Sequence, residues 1–179
     1  MNNIFDNSEW IAYLCALIGP FIQEDAAVLG AASASVSGLG SPLGMFIAIT
    51  IGLTISDLWK YWLGRAAISR PWARKHAEST HVLKAKDSIV HNLGKSIMIA
   101  RFVPGTRIPL YIAAGFFQAS FLKFTTFIFL SALIYIGIAF GLFNILGEVA
   151  GEEAKKYLPI VAIRGFISLL IFKKLKRQS

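Results

Sequence analysis

Residues 96–118 read SIMIARFVPGTRIPLYIAAGFFQ, an apolar stretch that contains two arginines and a Pro-Gly pair. A charged side chain at the centre of a bilayer costs about 2.5–3.5 kcal/mol on insertion scales, so arginines in such a stretch need a partner or a function. Pro104 and Gly105 favour a turn, and a turn at membrane depth is tolerated only where protein or a water-filled cavity surrounds it. The stretch therefore predicts a re-entrant helical hairpin that turns at Pro104 and Gly105.

The composition is typical of an integral membrane protein. The chain has 179 residues, of which 55% are hydrophobic and 16% are charged, and its mean hydropathy is +0.60; soluble domains carry about 25% charged residues. The formal net charge is +8, but the basic residues lie between and after apolar segments, where membrane orientation and anionic lipids explain them, so no nucleic-acid partner is expected. One cysteine and three scattered histidines fit no metal motif, so we expect no metal and no cofactor.

Three other stretches are apolar enough to cross, or nearly to cross, a bilayer, which takes about 20 residues. They are residues 42–64, residues 121–146 and the shorter 158–172. Residues 10–40 contain two short apolar arms, and a Gly-Pro pair at residues 19 and 20 is expected to break the helix between them. This segment predicts an N-terminal helix and a first re-entrant hairpin.

Basic residues orient these segments. Residues 65–95 form a polar segment whose basic residues are Arg65, Arg70, Arg74, Lys75, Lys84, Lys86 and Lys95. The tail after residue 172 is basic as well, so the positive-inside rule places both in the cytoplasm. An even number of membrane crossings must then lie between residues 65–95 and the tail. The spans 121–146 and 158–172 supply two crossings if residues 96–118 enter the membrane and return to the same side. Residues 42–64 then run inward, and the first hairpin enters from the outer face.

The predicted fold is an all-α polytopic membrane protein with two opposed re-entrant helical hairpins and about three transmembrane helices. Residues 1–179 form a single membrane domain whose C-terminus lies in the cytoplasm. Each hairpin precedes a span, and the two hairpin-span units have opposite orientation, which makes an inverted repeat. That architecture is typical of secondary transporters, whose binding sites lie near the bilayer midplane.

Arg101 and Arg107 are the leading candidates for ligand-binding residues. Each lies in the apolar stretch, on one side of the predicted turn. Planar, forked guanidinium donors match the oxygens of a phosphate group. The pattern therefore indicates a substrate with a phosphate group, bound at membrane depth. The alternative is that both side chains extend along the hydrocarbon to the cytoplasmic surface.

Three acids are candidates for proton exchange or charge balance. Glu24 and Asp25 are neighbours and point to different sides of a helix; a carboxylate in a partly dry cavity can exchange a proton near neutral pH. The alternative is that they cap the start of a helix, where an acid meets the positive end of the dipole. Asp57 shares a helix face with Lys60 and Tyr61, so it pairs either with Lys60 or, in a polar centre, with one of the two arginines.

Three blocks resemble the DedA family of membrane proteins, also described by their SNARE-associated or VTT domain. Residues 52–65 read GLTISDLWKYWLGR, which resembles the family's G-x-x-x-G-D-x-x-x-Y-x-x-G-R block, with Ser56 in place of a glycine. Residues 101–109 read RFVPGTRIP and run on to an Ala-Gly pair, which resembles R-F-x-P-G-x-R-x-P…A-G. Residues 21–32 resemble the family's first acidic hairpin, with Gln23 before the acids in place of the usual P-G turn.

The resemblance implies a protein of the bacterial cytoplasmic membrane that moves a lipid phosphate, either undecaprenyl phosphate or a phospholipid, and depends on the proton motive force. The family's functional acids and arginines fall on Glu24, Asp25, Asp57, Arg101 and Arg107. The implied partners are a lipid with a phosphate head group and protons, and self-association is left open.

No enzymatic activity is expected, and two alternatives to transport remain. The first is a membrane assembly factor that transports nothing and uses its polar residues for packing. The second is an integral lipid phosphatase, which would need a nucleophile or metal ligands beside the arginines. The stretch from Arg101 to Gln118 contains no histidine and no acid, which argues against the phosphatase.

Overall fold

The computed structural model describes residues 3–70, 89–103 and 105–155. Its helices are α1 (Asn3–Ile22), α2 (Glu24–Val36), α3 (Pro42–Ala67), α4 (Leu93–Phe102), α5 (Arg107–Phe116) and α6 (Phe121–Lys155). The described ranges contain no strand, in agreement with the all-α prediction. The predicted span over residues 158–172 and the centre of the basic segment lie outside the described residues.

Among the described helices, two are long and apolar enough to cross a membrane. They comprise α3 and the first part of α6, Phe121–Leu146, each 26 residues long with mean hydropathies of 1.5 and 2.3. Both correspond to spans predicted from the sequence. The predicted span over residues 121–146 coincides with this part of α6, and the helix itself continues to Lys155. Alanine, glutamate and lysine, which favour helix, occupy much of that extension.

The first helix pair, α1 and α2, breaks at Gln23 and not at the predicted Gly-Pro pair. Pro20 lies inside α1, and the amide of Gln23 still donates to the carbonyl of Gly19 over 2.9 Å. Gln23 itself is extended, with φ −150° and ψ 100°. A Cβ on Gly19 would lie 2.9 Å from the Cβ of Ala27 in α2. The glycine therefore serves close packing of α2 on α1, and the helix tolerates the proline that follows.

The second helix pair, α4 and α5, breaks around the predicted turn. Val103 is extended, with φ −101° and ψ 107°, as expected for the residue before a proline. Gly105 has φ +86°, a left-handed conformation that glycine adopts at little cost. Pro104 lies outside the described residues. The first arm begins at Leu93 rather than at residue 96. That either pair enters and leaves the membrane on one side stays a prediction.

The described helices belong to two compact units, residues 1–53 with 136–179 and residues 54–135. In the first unit, α1 and α3 touch through their backbones, because a Cβ on Gly52 would clash with the carbonyl oxygen of Leu17. Phe46 of α3 also packs edge-on against Phe140 of α6, with ring centroids 5.5 Å apart. The single membrane domain and the inverted repeat stay predictions.

The second unit contains the end of α3, the pair α4 and α5, and the start of α6. Here α3 and α5 meet at two glycines: a Cβ on Gly64 would clash with the carbonyl oxygen of Ile112, and one on Gly115 with that of Tyr61. The Tyr61 hydroxyl donates to the carbonyl of Ala119 over 2.7 Å. At these two points the backbones of α3 and α5 are in contact, and no side chain larger than hydrogen fits at either glycine.

Candidate functional site: a buried arginine–aspartate cluster

Asp57 and Arg101 form a buried ion pair in the second unit. Nη2 of Arg101, near the end of α4, donates to Oδ2 of Asp57 in α3 over 2.7 Å, and neither side chain is exposed to solvent. Removing one partner of such a pair leaves a buried charge without compensation, at a cost of about 3–5 kcal/mol. The pair therefore ties α4 to α3.

Ser131 of α6 completes the surroundings of Arg101. Nε and Nη2 of Arg101 each lie 3.3 Å from the Ser131 hydroxyl, and Nη2 also lies 3.3 Å from the carbonyl oxygen of Ile128. The Ser131 hydroxyl itself donates to Ile128 over 2.9 Å. The remaining nitrogen, Nη1, is buried and has no hydrogen-bond partner among the described residues. Two guanidinium nitrogens, Nε and Nη2, are thus bound to neighbouring groups, and the third, Nη1, is a buried donor without an acceptor among the described residues.

The other carboxylate oxygen of Asp57, Oδ1, is bound to Lys60. Nζ of Lys60 lies 3.2 Å from Oδ1 of Asp57, one helical turn away, and 3.2 Å from the hydroxyl of Ser56. The Lys60 side chain is 13% exposed. Both pairings that the sequence left open for Asp57 are therefore present together, and its carboxylate bridges two cations.

Arg107 is the first residue of α5 and is buried as well. The exposed fractions of Arg101 and Arg107 are 2% and 6%, so neither arginine extends to the surface of the described structure. The guanidinium carbon of Arg107 lies 5.9 Å from the centroid of the Tyr135 ring, within the range of a cation–π interaction. Phe102 packs edge-on against the same ring, with centroids 6.2 Å apart.

Glu24 and Asp25 lie in the first turn of α2. Gln23, which precedes them, is the N-cap residue, and its side chain makes no capping hydrogen bond. Both acids are partly buried. A negative charge at this position interacts favourably with the helix dipole, so the capping alternative stays open beside proton exchange. The two acids belong to the first unit, whereas Asp57 and both arginines belong to the second.

Ser131 is the site residue that the sequence did not reveal. Its only sequence signal is a hydroxyl within an apolar span, and such residues commonly satisfy their own helix, as Thr126 does by donating to the carbonyl of Leu122 over 2.9 Å. No group of three His, Cys, Asp or Glu that could hold a metal ion occurs within the described ranges.

Comparison with known proteins identifies the family. The model of the VTT domain matches residues 25–145, a range that contains Asp57 and both arginines. The chain is 30% identical over 149 residues to undecaprenyl phosphate transporter A of Bacillus subtilis (strain 168), which covers 76% of this chain and 73% of the relative. No solved structure is significantly similar. The chain is therefore a membrane protein of the VTT-domain family, the DedA family of membrane proteins.

Proposed function

We propose that this protein moves a lipid phosphate across the bacterial cytoplasmic membrane and that Arg101 binds the phosphate. The observation that carries the proposal is the buried Nη1 of Arg101, which has no partner among the described residues. A buried donor without an acceptor costs about 1–3 kcal/mol, and a phosphate oxygen would supply that acceptor. The contacts of Nε and Nη2 with the Ser131 hydroxyl, and of Nη2 with the carbonyl of Ile128, orient the guanidinium in advance, which lowers the entropy lost on binding.

The charge balance of the second unit also favours an anion. The buried charged residues among those described are two arginines and one aspartate, Arg101, Arg107 and Asp57. Buried charges are stable only when they are compensated. Arg107 also begins α5, where the positive end of the helix dipole favours an anion; the N-cap residue, Thr106, makes no side-chain capping hydrogen bond there. A phosphate between the two arms would interact favourably with both arginines and with this helix end.

The proposed mechanism needs no covalent step. Asp57 neutralises Arg101 while the site is empty, and phosphate takes the place of Asp57 on Arg101 when the lipid binds, with Arg107 as the second cation. The two helix pairs act as opposed re-entrant hairpins that open alternately, so the head group crosses while the hydrocarbon tail stays in the bilayer. Glu24 or Asp25 takes up and releases a proton, which makes net movement depend on the proton motive force.

Undecaprenyl phosphate is the first lipid to test, because the similar protein from Bacillus subtilis is named as its transporter; a phospholipid is the second. The assembly-factor alternative keeps one supporting observation, since a buried Asp57–Arg101 pair also holds helices together. A phosphatase has less support: the only buried acid described beside Arg101 is Asp57, and its two oxygens are already bound to Arg101 and Lys60.

Translocation of undecaprenyl phosphate in proteoliposomes tests the proposal, with and without a proton gradient. Arg101→Met alone would leave Asp57 with only Lys60, so a folding defect could hide the effect on transport. The decisive variant combines Asp57→Asn with Arg101→Met, which removes both charges of the pair. We expect this protein to fold and its flux to fall at least about 100-fold, the loss of a bidentate charged contact.

The matched control is Lys95→Gln, which removes an exposed cation from the same helix and should leave the flux unchanged. Arg107→Gln should reduce the flux as well. Wild-type flux in the double variant would exclude Arg101 as the phosphate-binding residue. A folded wild-type protein that moves neither undecaprenyl phosphate nor common phospholipids would favour the assembly factor.

A further inference from the structure

We propose that Lys60 is a positioning residue, which holds the carboxylate of Asp57 while Arg101 turns from Asp57 to the phosphate. This inference rests on the proposed function. The two carboxylate oxygens of Asp57 have different partners. Oδ2 accepts a hydrogen bond from Nη2 of Arg101 over 2.7 Å, and Oδ1 lies 3.2 Å from Nζ of Lys60. Each oxygen has its own cation, so one partner can leave without the other.

Because Asp57 is buried, it is important that each of its carboxylate oxygens has its own cation. Its side chain is fully buried, and a buried carboxylate without a positive partner is strongly unfavourable. If Arg101 were the sole partner, phosphate could bind Arg101 only by leaving that carboxylate uncompensated. With Lys60 in place, Asp57 remains paired before and after the exchange, so Arg101 is free to bind phosphate.

The placement of Lys60 on α3 fits this role. Lys60 and Asp57 are three residues apart on one helix, whereas Arg101 lies on α4. A rearrangement of the α4–α5 pair would therefore stretch the contact of Asp57 with Arg101 but not its contact with Lys60. The hydroxyl of Ser56, 3.2 Å from Nζ, holds the ammonium in the same place. A lysine ammonium on its flexible stem can follow the carboxylate through small shifts.

No other charged group bonded to Asp57 is found among the described residues. The groups around the cluster are Lys60 on α3, Arg101 on α4 and the neutral hydroxyl of Ser131 on α6. Removing the charge of Lys60 should weaken phosphate binding in two ways. Asp57 then holds Arg101 more tightly, and the positive charge near the phosphate is smaller.

The experiment measures the concentration of undecaprenyl phosphate at half-maximal transport and the maximal rate in proteoliposomes. Lys60→Met removes the charge and keeps most of the length of the unbranched side chain; Lys60→Arg keeps the charge. We expect Lys60→Met to raise the half-saturating concentration about tenfold, the loss of roughly one charge-assisted contact. The maximal rate should change less, and Lys60→Arg should remain within about twofold of wild type in both values.

Two further variants make the test specific. Lys123→Met, which removes an exposed lysine of α6 in the same unit, should leave both values unchanged. In an Asp57→Asn background, Lys60→Met should weaken binding much less than in the wild type, because the carboxylate that Lys60 holds is absent. If thermal melting shows that Lys60→Met does not fold, Lys60→Gln takes its place as the neutral variant.

An unchanged half-saturating concentration in the neutral variant would overturn the role of Lys60. Equal weakening in the neutral variant and in Lys60→Arg would also overturn it, since that result indicates a steric effect. In both cases, loss of flux in the Asp57→Asn, Arg101→Met protein would still support the phosphate site. If that protein transports normally, the proposed function itself fails.

Discussion

The two helix pairs of this protein, α1–α2 and α4–α5, both carry charged residues at the point where one helix ends and the next begins. In the first pair, the break is the single residue Gln23, and the acids Glu24 and Asp25 follow it in the first turn of α2. In the second pair, the break spans residues 103–106, with Arg101 before it and Arg107 after it. The acids are partly buried, whereas both arginines are buried.

The difference shows two ways of keeping charge within an apolar chain. An acid in the first turn of a helix is stabilised by the backbone of its own helix. Arg101 instead depends on groups from other helices, Asp57 on α3 and Ser131 on α6. The acids of the first pair therefore lie at a helix end that favours their charge, whereas the charge of Arg101 is part of the tertiary structure. The predictions below test this distinction.

The largest effect is expected where the second pair touches α3. Gly115→Val would drive a side chain into the backbone of Tyr61, and such overpacking against a main chain cannot be relieved by a rotamer change. We expect no folded protein, measured as loss of the monodisperse peak in detergent. The matched control in the first pair is Gly30→Ala, because a Cβ at Gly30 meets nothing within 4 Å. It should leave stability unchanged or raise it by up to about 1 kcal/mol. Equal damage by both substitutions would contradict the backbone contact of α5 with α3 as the cause of the loss.

The next effect concerns the charge of the second pair. Arg101→Met should lower the free energy of unfolding by about 1.5–3 kcal/mol, the worth of a hydrogen bond to a charged group, because Asp57 keeps Lys60 as its remaining cation. Adding Asp57→Asn should recover most of that loss. Thermal melting of the single and double variants in the same detergent gives the coupling between the two sites. Additive losses would show that the two side chains do not stabilise each other and would remove the basis of the comparison.

The main helices could be predicted from the sequence because length, hydropathy and breakers are local signals. Residues 42–64 and 121–146 exceed the length of a bilayer crossing, and α4 ends at Phe102, close to the turn expected from the sequence. The break at Gln23 could not be predicted. Whether Gly19 breaks a helix or lets another helix pack closely depends on Ala27, which a local pattern does not place.

The residues of the buried cluster could be singled out from the sequence, but their pairing could not, and their role in binding stays a prediction. The cost of charge at membrane depth singled out Asp57, Arg101 and Arg107 from sequence alone. That Asp57 bridges Lys60 and Arg101 could not be derived, because i, i+3 spacing supports one contact and only the tertiary structure supplies the other. Ser131 gave no usable signal, since a serine in an apolar helix most often bonds to its own backbone.

The smallest effect on stability, and the sharpest test of the first pair, comes from Glu24→Gln and Asp25→Asn. Each should change the free energy of unfolding by less than about 1 kcal/mol, the size of a helix-dipole interaction in the first turn of a helix. If one of these acids carries the coupling proton, its neutral variant should lose the dependence of lipid flux on the proton gradient while the other variant keeps it. Melting in detergent and flux at two gradients, measured on the same protein preparations, separate the two roles. A loss of several kcal/mol in either variant would place that acid in a buried network like that of Arg101, and charge in the two helix pairs would then be held in the same way.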